Sequence, residues 1–478
     1  MNKFLFTLLP SNDLGVVTRA LPVAIALRNK GYDVIFSVHS PVPSKLVKEE
    51  GFKNILIKTH FDNLMFKVRK FGGVSNFIKK NGLFSSLSLL GKYIIDVSKL
   101  FPKKIIVSTP EVENMEHFFV LNGMLNENYI FFMVEAFMKI IKETEVDFVI
   151  DFWNPYASIA AKVLNIPLIT INQFDVHPSA NGFMWWKHNR IKYKSTLPII
   201  NKVLSFYGLK TISKLEELTI GDLTLTLGMP NKREIEQNSK INHIGFLVYR
   251  KRGMTIPEKI KTLDNSKPLI WLYSGNPHYT KIKTDFDSDI LLEICINTLA
   301  KENININIVL STGYHSIPTK YFPLPKNVIL VDFIDGLEMS AKADLMIHHG
   351  GYGSCQTSLI SGTPSLIIPT FSERESNARR IAKLGTGEYV LPVKKRYSRS
   401  KSINKVEFIE KFHKLLTNEK YKENAKEISE ELEIFNAENR GIKLIENFIK
   451  ENELRNNNLQ PQTLRFKKEY SRHLKLVT

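Results

Sequence analysis

The chain has 478 residues, of which 43% are hydrophobic and 24% are charged. This is a globular composition at a length above that of one ordinary domain, so we expect two domains, each with its own hydrophobic core. Only two cysteines are present, Cys295 and Cys355, which excludes a disulfide framework and favours the reducing cytoplasm. No stretch approaches the roughly 20 apolar residues of a membrane-spanning helix, so we expect any membrane contact to be peripheral.

The formal net charge of +18 is unevenly distributed along the chain. Residues 66–104 carry nine lysines and arginines against one acid, Asp96, among many aromatic and aliphatic side chains. This mixture is typical of a helical surface on anionic lipid and equally of a basic rim around an acceptor pocket. A second basic stretch, residues 187–214, follows the exposed-looking segment "MWWKHNR", and the two patches together favour an anionic partner. No recognition helix, zinc-ligand spacing or aromatic RNA-binding signature is present, so nucleic acid is not an expected partner.

Strand and helix signals alternate along the N-terminal half. A strand is predicted over residues 4–9, a helix over 18–30 with Thr18 as its N-cap and Gly31 as its C-cap, and a strand over 33–38. The same order returns with a strand over 148–151, a helix over 155–164 and a strand over 168–171. Alternation of this kind predicts a parallel sheet covered by helices on both faces.

Apolar patterning lapses between residues 223 and 268, which is typical of a linker. A second α/β series follows, with strands predicted over 269–273, 306–311 and 328–331 and a helix over 289–300. We therefore place one domain at residues 1–244, a linker at 245–267 and a second domain at 268–445. Residues 446–478 form a C-terminal helix and basic tail that either packs back on the protein or is free.

The stretch "LMIHHGGYGSCQTSLISGTPSLIIPTFSERESNARRIAKLGTG" starts at Leu345 and contains two apolar runs and a glycine cluster. Strands over 345–347 and 365–369 with a helix over 354–361 between them make a βαβ unit. Glycines at the first turn let the backbone approach a ligand, and the start of the helix favours an anion. A lone glycine turn also permits a tight chain reversal without any ligand. Two open parallel sheets place such loops across a shared cleft, where their ligands bind.

The order and spacing of this stretch resemble the UDP-glycosyltransferase-like family of GT-B glycosyltransferases. "IWLYSGN" is similar to the first C-terminal strand and phosphate loop of that family, and "GVVTRALPVAIALRNKGYDV" to its first N-terminal helix. The resemblance is firm over residues 268–390 and looser before them. It implies an α/β fold of two Rossmann-like domains facing each other across a cleft, with the acceptor bound by the first domain and the donor by the second.

The implied reaction is the transfer of a sugar, with inversion, from a UDP- or dTDP-sugar to a hydroxyl group of a small molecule or membrane lipid. The nucleotide sugar is a co-substrate, and neither a cofactor nor a metal is expected. Two other functions stay open: an inactive relative that binds a partner or a membrane, and a nucleotide-sugar epimerase.

The resemblance also implies a set of donor-binding residues. His349 would lie against the diphosphate, and Phe333 would border the base unless it is an ordinary core aromatic. Thr357 stands where the family has a glutamate for the ribose, and Glu373 with Arg374 stand where the family often has Asp-Gln for the sugar. Arg374 suggests an acidic donor sugar, or else pairs with a neighbouring glutamate at the surface. The full implied set is Ser274, Asn276, Phe333, Ile334, His349, Gly351, Gly353, Ser354, Thr357, Glu373, Arg374 and Asn377.

The general base is the largest departure from the family pattern. Many members have a histidine directly after the first-loop glycine, whereas this chain has Val16, which cannot accept a proton. Asp13, in the same loop, is the first candidate, although an aspartate there also suits a local turn. His177 and Asp175 are the next candidates, with an exposed loop histidine as the ordinary alternative.

Overall fold

The computed structural model describes residues 2–10, 14–57, 113–187, 195–228, 241–251, 253–275, 289–300, 305–312, 317–370, 372–394, 401–435 and 437–458. Two parallel sheets, of seven and six strands, dominate these residues. The two parallel-sheet domains predicted from the sequence are thereby confirmed. The basic segment 66–104 and the tail beyond residue 458 lie outside the described residues.

The first sheet has the strand order β3-β2-β1-β4-β5-β6-β7. Its strands are β1 (Lys3–Leu8), β2 (Asp33–Val38), β3 (Lys53–Leu56), β4 (Phe148–Phe152), β5 (Leu168–Gln173), β6 (Leu223–Leu227) and β7 (Asn242–Gly245). Its helices are α1 (Val17–Asn29), α2 (Pro41–Glu49), α3 (Met115–Leu121), α4 (Glu127–Thr144), α5 (Pro155–Val163) and α6 (Leu197–Phe206). The central strands are buried along their length, so both faces of this sheet are covered.

The second sheet has the strand order β10-β9-β8-β11-β12-β13. Its strands are β8 (Leu269–Tyr273), β9 (Asn307–Ser311), β10 (Val328–Val331), β11 (Leu345–His348), β12 (Ser365–Ile367) and β13 (Gly387–Tyr389), and a small antiparallel hairpin adds β14 (Val393–Lys394) and β15 (Lys401–Ser402). The helices from the linker onward are α7 (Glu258–Lys261), α8 (Asp289–Ile294), α9 (Gly336–Lys342), α10 (Tyr352–Ile360), α11 (Ser372–Lys383), α12 (Lys405–Thr417), α13 (Lys420–Phe435) and α14 (Ala437–Asn458).

Three sequence predictions need correction. The segment 223–268 was predicted to be linker-like, but it contains β6 and β7, because the alternating Leu and Thr residues of β6 pair with β5. Helix α1 begins at Val17, one residue before the predicted range, and Val16 instead of Thr18 occupies the N-cap; the Thr18 hydroxyl donates to the Leu14 carbonyl at 2.9 Å. The helix predicted over 289–300 changes to a π-helical turn at Cys295–Leu299.

Helix α14 crosses back from the second domain and packs on the first. Its apolar side chains Ile442, Ile445 and Ile449 join the core of the N-terminal sheet, and the Phe448 ring lies 6.2 Å from that of Phe148. An ion pair of 2.8 Å between Lys30 and Glu446 flanks this contact. The same hydrophobic cluster includes residues of α10 and α11, so the two domains share one packed interface. No helix in the described ranges is long and apolar enough to cross a membrane.

Candidate functional site

The turn between β11 and α10 is held by a buried histidine. His348 Nδ1 accepts a hydrogen bond from the Gly350 amide at 3.1 Å, so its other ring nitrogen, 3.3 Å from Ser365 Oγ, carries the proton. Burial lowers the pKa of His348 to about 3, so the ring is neutral at pH 7. Gly350 has a φ of 82°, a backbone conformation that favours glycine. These features make His348 a structural residue of the turn.

His349 is wedged between two glycine loops at the start of α10. A methyl group on Gly275 would lie 2.8 Å from His349 Nδ1, and one on Gly351 would lie 2.4 Å from His349 Nε2. The side chain is buried, and its Nδ1 has no hydrogen-bond partner in the described part of the chain. Burial, and secondarily the charge of Arg374, hold the pKa of His349 well below its usual value.

Helix α10 starts at this point, with Gly351 as its N-cap. The first amide groups of a helix lack intrahelical acceptors and carry a partial positive charge. A buried imidazole with an unused polar atom lies beside them. The arrangement is therefore suited to binding an anion such as a diphosphate. Gly353 and Ser354, two of the predicted donor-binding residues, lie in the first turn of α10.

Three of the other predicted donor residues follow strands of the second sheet, and Thr357 lies within α10. Ser274 follows β8 and is buried, and its amide donates to the Ser311 carbonyl at 3.3 Å. Phe333 and Ile334 follow β10; Phe333 is 41% exposed, so it is not a core aromatic, whereas Ile334 is part of the core. The Thr357 hydroxyl donates to the Gly353 carbonyl at 2.9 Å within α10. Asn276 lies outside the described residues.

The first turns of α11 connect the β12 edge to the glycine turn. Asn377 Nδ2 donates to the Gly350 carbonyl at 3.0 Å and to Glu373 Oε1 at 2.9 Å. Burial raises the pKa of the Glu373 carboxyl, opposed by the Asn377 hydrogen bond and the charge of Arg374. Arg374 Nη1 donates to Thr370 Oγ1 at 2.8 Å. The structure thus brings His349, Glu373, Arg374 and Asn377 together at one place.

Helix α11 is also the contact point of the N-terminal domain. Asp175 forms an ion pair of 2.5 Å with Arg380. The Asp175 side chain is 16% exposed and the Arg380 side chain is 14% exposed. Trp185 Nε1 donates to Ser376 Oγ at 3.1 Å, and the Arg380 guanidinium lies over the Trp185 ring. We call these four residues the interdomain clamp. Trp185 belongs to the segment that looked exposed in the sequence, but its indole is partly buried against α11.

The candidate bases differ in their surroundings. His177 Nδ1 accepts from the Ser179 amide at 3.2 Å, so the free nitrogen of the neutral ring is a donor and does not accept a proton in this form. Burial lowers the pKa of His177, which favours the neutral ring. Asp175 is engaged by Arg380. Asp13 lies outside the described residues, and Val16 is buried in the core. The identity of the base stays a prediction.

Part of the second domain is similar to a known protein family. Residues 298–435 match the family described as the C-terminal domain of erythromycin biosynthesis protein CIII-like proteins. Over 102 residues the chain is 31% identical to a demethyllactenocin mycarosyltransferase of Streptomyces fradiae, a match that covers 21% of this chain and 22% of that protein. Over 254 residues it is 26% identical to an uncharacterized glycosyltransferase of Methanosarcina acetivorans, covering 52% of this chain and 62% of the relative. Each match spans less than two thirds of the relative.

Solved structures match over nearly the whole chain. The calicheamicin glycosyltransferase CalG4 superposes with a TM-score of 0.64 at 16% identity, over 94% of this chain and 98% of that one. The glycosyltransferase VinC in complex with dTDP superposes with a TM-score of 0.55 at 14% identity, over 93% and 98%. The chain therefore has the GT-B fold.

The carboxyl edge of the N-terminal sheet of this GT-B protein holds two titratable residues that sequence reasoning missed. Asp151 is 1% exposed and accepts from the Asn154 amide at 3.0 Å and from Ser158 Oγ at 3.2 Å. Burial raises the pKa of Asp151 to about 7. His39 Nε2 lies 3.4 Å from Asn154 Nδ2, and burial lowers the pKa of His39 to about 4. The sequence signal for these two residues was their position: His39 directly follows the apolar run "DVIFSV", and Asp151 directly follows "VDFVI".

Within the described ranges, no group of three or more His, Cys, Asp or Glu side chains is placed to hold a metal ion. The groups gathered at the start of α10 are amides, an imidazole and an arginine, which are suited to anions.

Proposed function

We propose that this GT-B protein transfers a sugar from a nucleoside-diphosphate sugar to an acceptor hydroxyl, with inversion at the anomeric carbon. The observation that carries this proposal is the buried Nδ1 of His349, unpartnered in the described part of the chain, beside the N-terminus of α10. A buried polar atom without a partner is costly, and a bound diphosphate would satisfy it. The names of the S. fradiae and CalG4 proteins support transferase chemistry, since both are glycosyltransferases.

The leaving diphosphate gains negative charge as the glycosidic bond breaks. The amides at the start of α10 and the His349 ring would stabilise that charge, because donors fixed in a water-poor site need little reorganisation. The neutral ring would act as a hydrogen-bond donor and not as a cation, since its pKa is held low. We propose that no resident metal or cofactor takes part.

The acceptor would approach from the N-terminal domain, where a base must lie within hydrogen-bond reach of its hydroxyl. Asp13 stays the first candidate for this role. We propose UDP or dTDP as the nucleotide, because VinC is complexed with dTDP. The acceptor is either a soluble, anionic small molecule or a membrane lipid reached through residues 66–104. We propose that the reaction takes place in the cytoplasm.

Binding of UDP and dTDP to purified protein, measured by calorimetry, tests the donor site. His349→Ala should weaken the binding of the preferred nucleotide by about tenfold or more, because a hydrogen bond to a charged group is removed. His413→Ala is the matched control, since His413 is exposed on α12 of the same domain. If wild type binds neither nucleotide, or if both variants bind alike, the donor site is not at His349.

Turnover separates the three candidate functions. Release of free nucleotide from a nucleotide sugar, dependent on added acceptor, is the result expected of a transferase. Conversion of the nucleotide sugar without any acceptor would identify an epimerase. Tight nucleotide-sugar binding with no turnover across an acceptor panel would favour the inactive relative.

A further inference from the structure

An arginine of the N-terminal domain lies against the start of α10 in the second domain. The Arg19 guanidinium, from α1, lies over the Tyr352 ring at 4.9 Å from the ring centroid. This distance is within the range of a cation–π contact. Tyr352 directly follows the N-cap Gly351, so its amide is one of the donors at the helix start that lack an intrahelical acceptor. Arg19 thus contacts the residue that begins the helix where we propose the diphosphate to bind.

The same arginine also holds the loop between β1 and α1, which we call the first loop. Arg19 Nε donates to the Gly15 carbonyl at 2.8 Å, and the Thr18 hydroxyl donates to the same oxygen at 3.3 Å. The resemblance places the general base in this loop. A planar guanidinium can donate along its edge while its face lies on an aromatic ring. Arg19 therefore connects the first loop to α10 through two contacts of different kinds.

The Tyr352 ring is confined at the interface between the domains. It is buried, and the ring of Phe246, which follows β7 of the first sheet, lies 5.6 Å away at 66°. Burial raises the pKa of the Tyr352 hydroxyl, so the side chain is an uncharged phenol at pH 7. The ring belongs to the hydrophobic cluster that the two domains share. Close-packed interiors transmit strain, so a movement at the start of α10 is passed to Arg19 and from there to Gly15.

The charge of Arg19 also reaches α11. Burial raises the pKa of Glu373, and the Asn377 hydrogen bond, the charge of Arg374 and the charge of Arg19 oppose that rise. The charge of Asp175 adds to the rise. Arg19 and Glu373 therefore attract each other across the interface, which adds an electrostatic contribution to the contact with Tyr352.

We propose that Arg19 is a positioning residue, through which a nucleotide bound at the start of α10 orders the first loop and the first turn of α1. This inference rests on the proposed function, because the coupling requires a diphosphate at α10. It gives the two domains a direct link between the donor and the groups that meet the acceptor. Loss of Arg19 would leave the donor contacts in place but misplace the reacting groups.

Hydrogen–deuterium exchange of the full chain measures this coupling, with UDP or dTDP at saturation, whichever binds more tightly by calorimetry. In wild type the amides of residues 15–20 should exchange about threefold or more slowly when the nucleotide is bound. Arg19→Ala should abolish this slowing. Because a coupling between two sites is reciprocal, the same variant should lose no more than about threefold in nucleotide affinity. Arg19→Lys should keep part of the slowing, since an ammonium can lie over the ring but has no guanidinium edge to reach Gly15.

Arg28 provides a matched control on the same helix. Its guanidinium lies 4.1 Å from the centroid of the Phe52 ring, and its Nη1 donates to the Glu50 carbonyl at 2.6 Å. These contacts are of the same two kinds, but both stay within the N-terminal domain. Arg28→Ala should therefore show the same slowing and the same nucleotide affinity as wild type. Thermal unfolding of all variants shows that each is folded at the temperature of the exchange experiment.

Turnover gives a second measurement of the same coupling. With a donor and an acceptor that wild type converts, Arg19→Ala should lower kcat about tenfold, because misplacement of reacting groups by about 1 Å can cost up to about 100-fold. The KM for the donor should stay within about threefold of wild type. Arg28→Ala should change neither parameter.

Several outcomes would overturn the inference. If residues 15–20 do not slow in wild type, or still slow in Arg19→Ala, the coupling does not pass through Arg19. If nucleotide binding is nevertheless lost in His349→Ala, the proposed function survives. Equal loss in Arg19→Ala and Arg28→Ala would assign the effect to the stability of α1 alone, and full slowing in Arg19→Lys would contradict the role of the guanidinium. If neither nucleotide binds to wild type, the inference and the proposed function fail together.

Discussion

Breaking the ion pair of the interdomain clamp should lower the free energy of unfolding, and the burial of the two side chains sets the expected size of the loss. Exposed ion pairs contribute about 0–1 kcal/mol, and loss of one partner of a fully buried pair costs about 3–5 kcal/mol. Asp175 and Arg380, at 16% and 14% exposure, lie between these limits. We therefore expect Asp175→Asn or Arg380→Gln to cost about 2 kcal/mol in the free energy of unfolding, with a coupling of about 1–2 kcal/mol between them.

Urea unfolding followed by tryptophan fluorescence measures this coupling in a double-mutant cycle. Trp185 is a suitable reporter because its indole hydrogen-bonds to Ser376 and lies against Arg380. The pair of Lys202 and Glu127 is the control, since it has a similar distance of 2.8 Å but a Lys202 side chain that is 68% exposed. A coupling below about 0.3 kcal/mol, or one equal to that of the control pair, would show that the ion pair does not hold the domains together. Because α11 also carries Glu373 and Asn377, which we propose to bind the donor, nucleotide-sugar affinity should fall in both variants.

Three further predictions concern the donor turn, a buried acid and the C-terminal helix. Gly351→Ala places a methyl group 2.4 Å from His349 Nε2, so the confined ring must move, and we expect weaker nucleotide binding by calorimetry together with a lower melting temperature; unchanged affinity would contradict the role of His349. The pKa of Asp151 is raised from 3.8 to about 7, so the native protein retains a proton that the unfolded chain releases in this window. Stability from this group therefore falls as pH rises from about 4 to 7, by about 4 kcal/mol, and urea titrations should show that Asp151→Asn removes the fall. Ile445→Ala, at a fully buried position, should cost about 2–5 kcal/mol by urea unfolding, and a cost below 1 kcal/mol would mean that α14 is not part of the N-terminal core.

Local sequence pattern predicted the central strands of both sheets and the glycine turn that precedes α10. Buried strands such as β8 and β10 have the predicted bounds, because a short apolar run between turn residues is itself the signal. The glycines and His349 were identified because a strand, a glycine turn and a helix follow one another within a few residues. The pattern failed at β6, where the alternation of Leu and Thr marks a half-buried strand that was interpreted as linker.

Contacts between distant parts of the chain could not be predicted in this way. Asp175 and Arg380 are 205 residues apart, and nothing in either segment indicates that they pair. Lys401 reaches Thr370 from a separate hairpin, and Gly275 meets His349 across two strand edges. These contacts depend on strand order and on how the two domains pack, which many weak long-range interactions determine together. The sequence therefore predicted which residues could bind a diphosphate. Only the packing of the two domains decided that Asp175 pairs with an arginine, and only the fold of the second domain brought Arg374 and Lys401 to the same residue, Thr370.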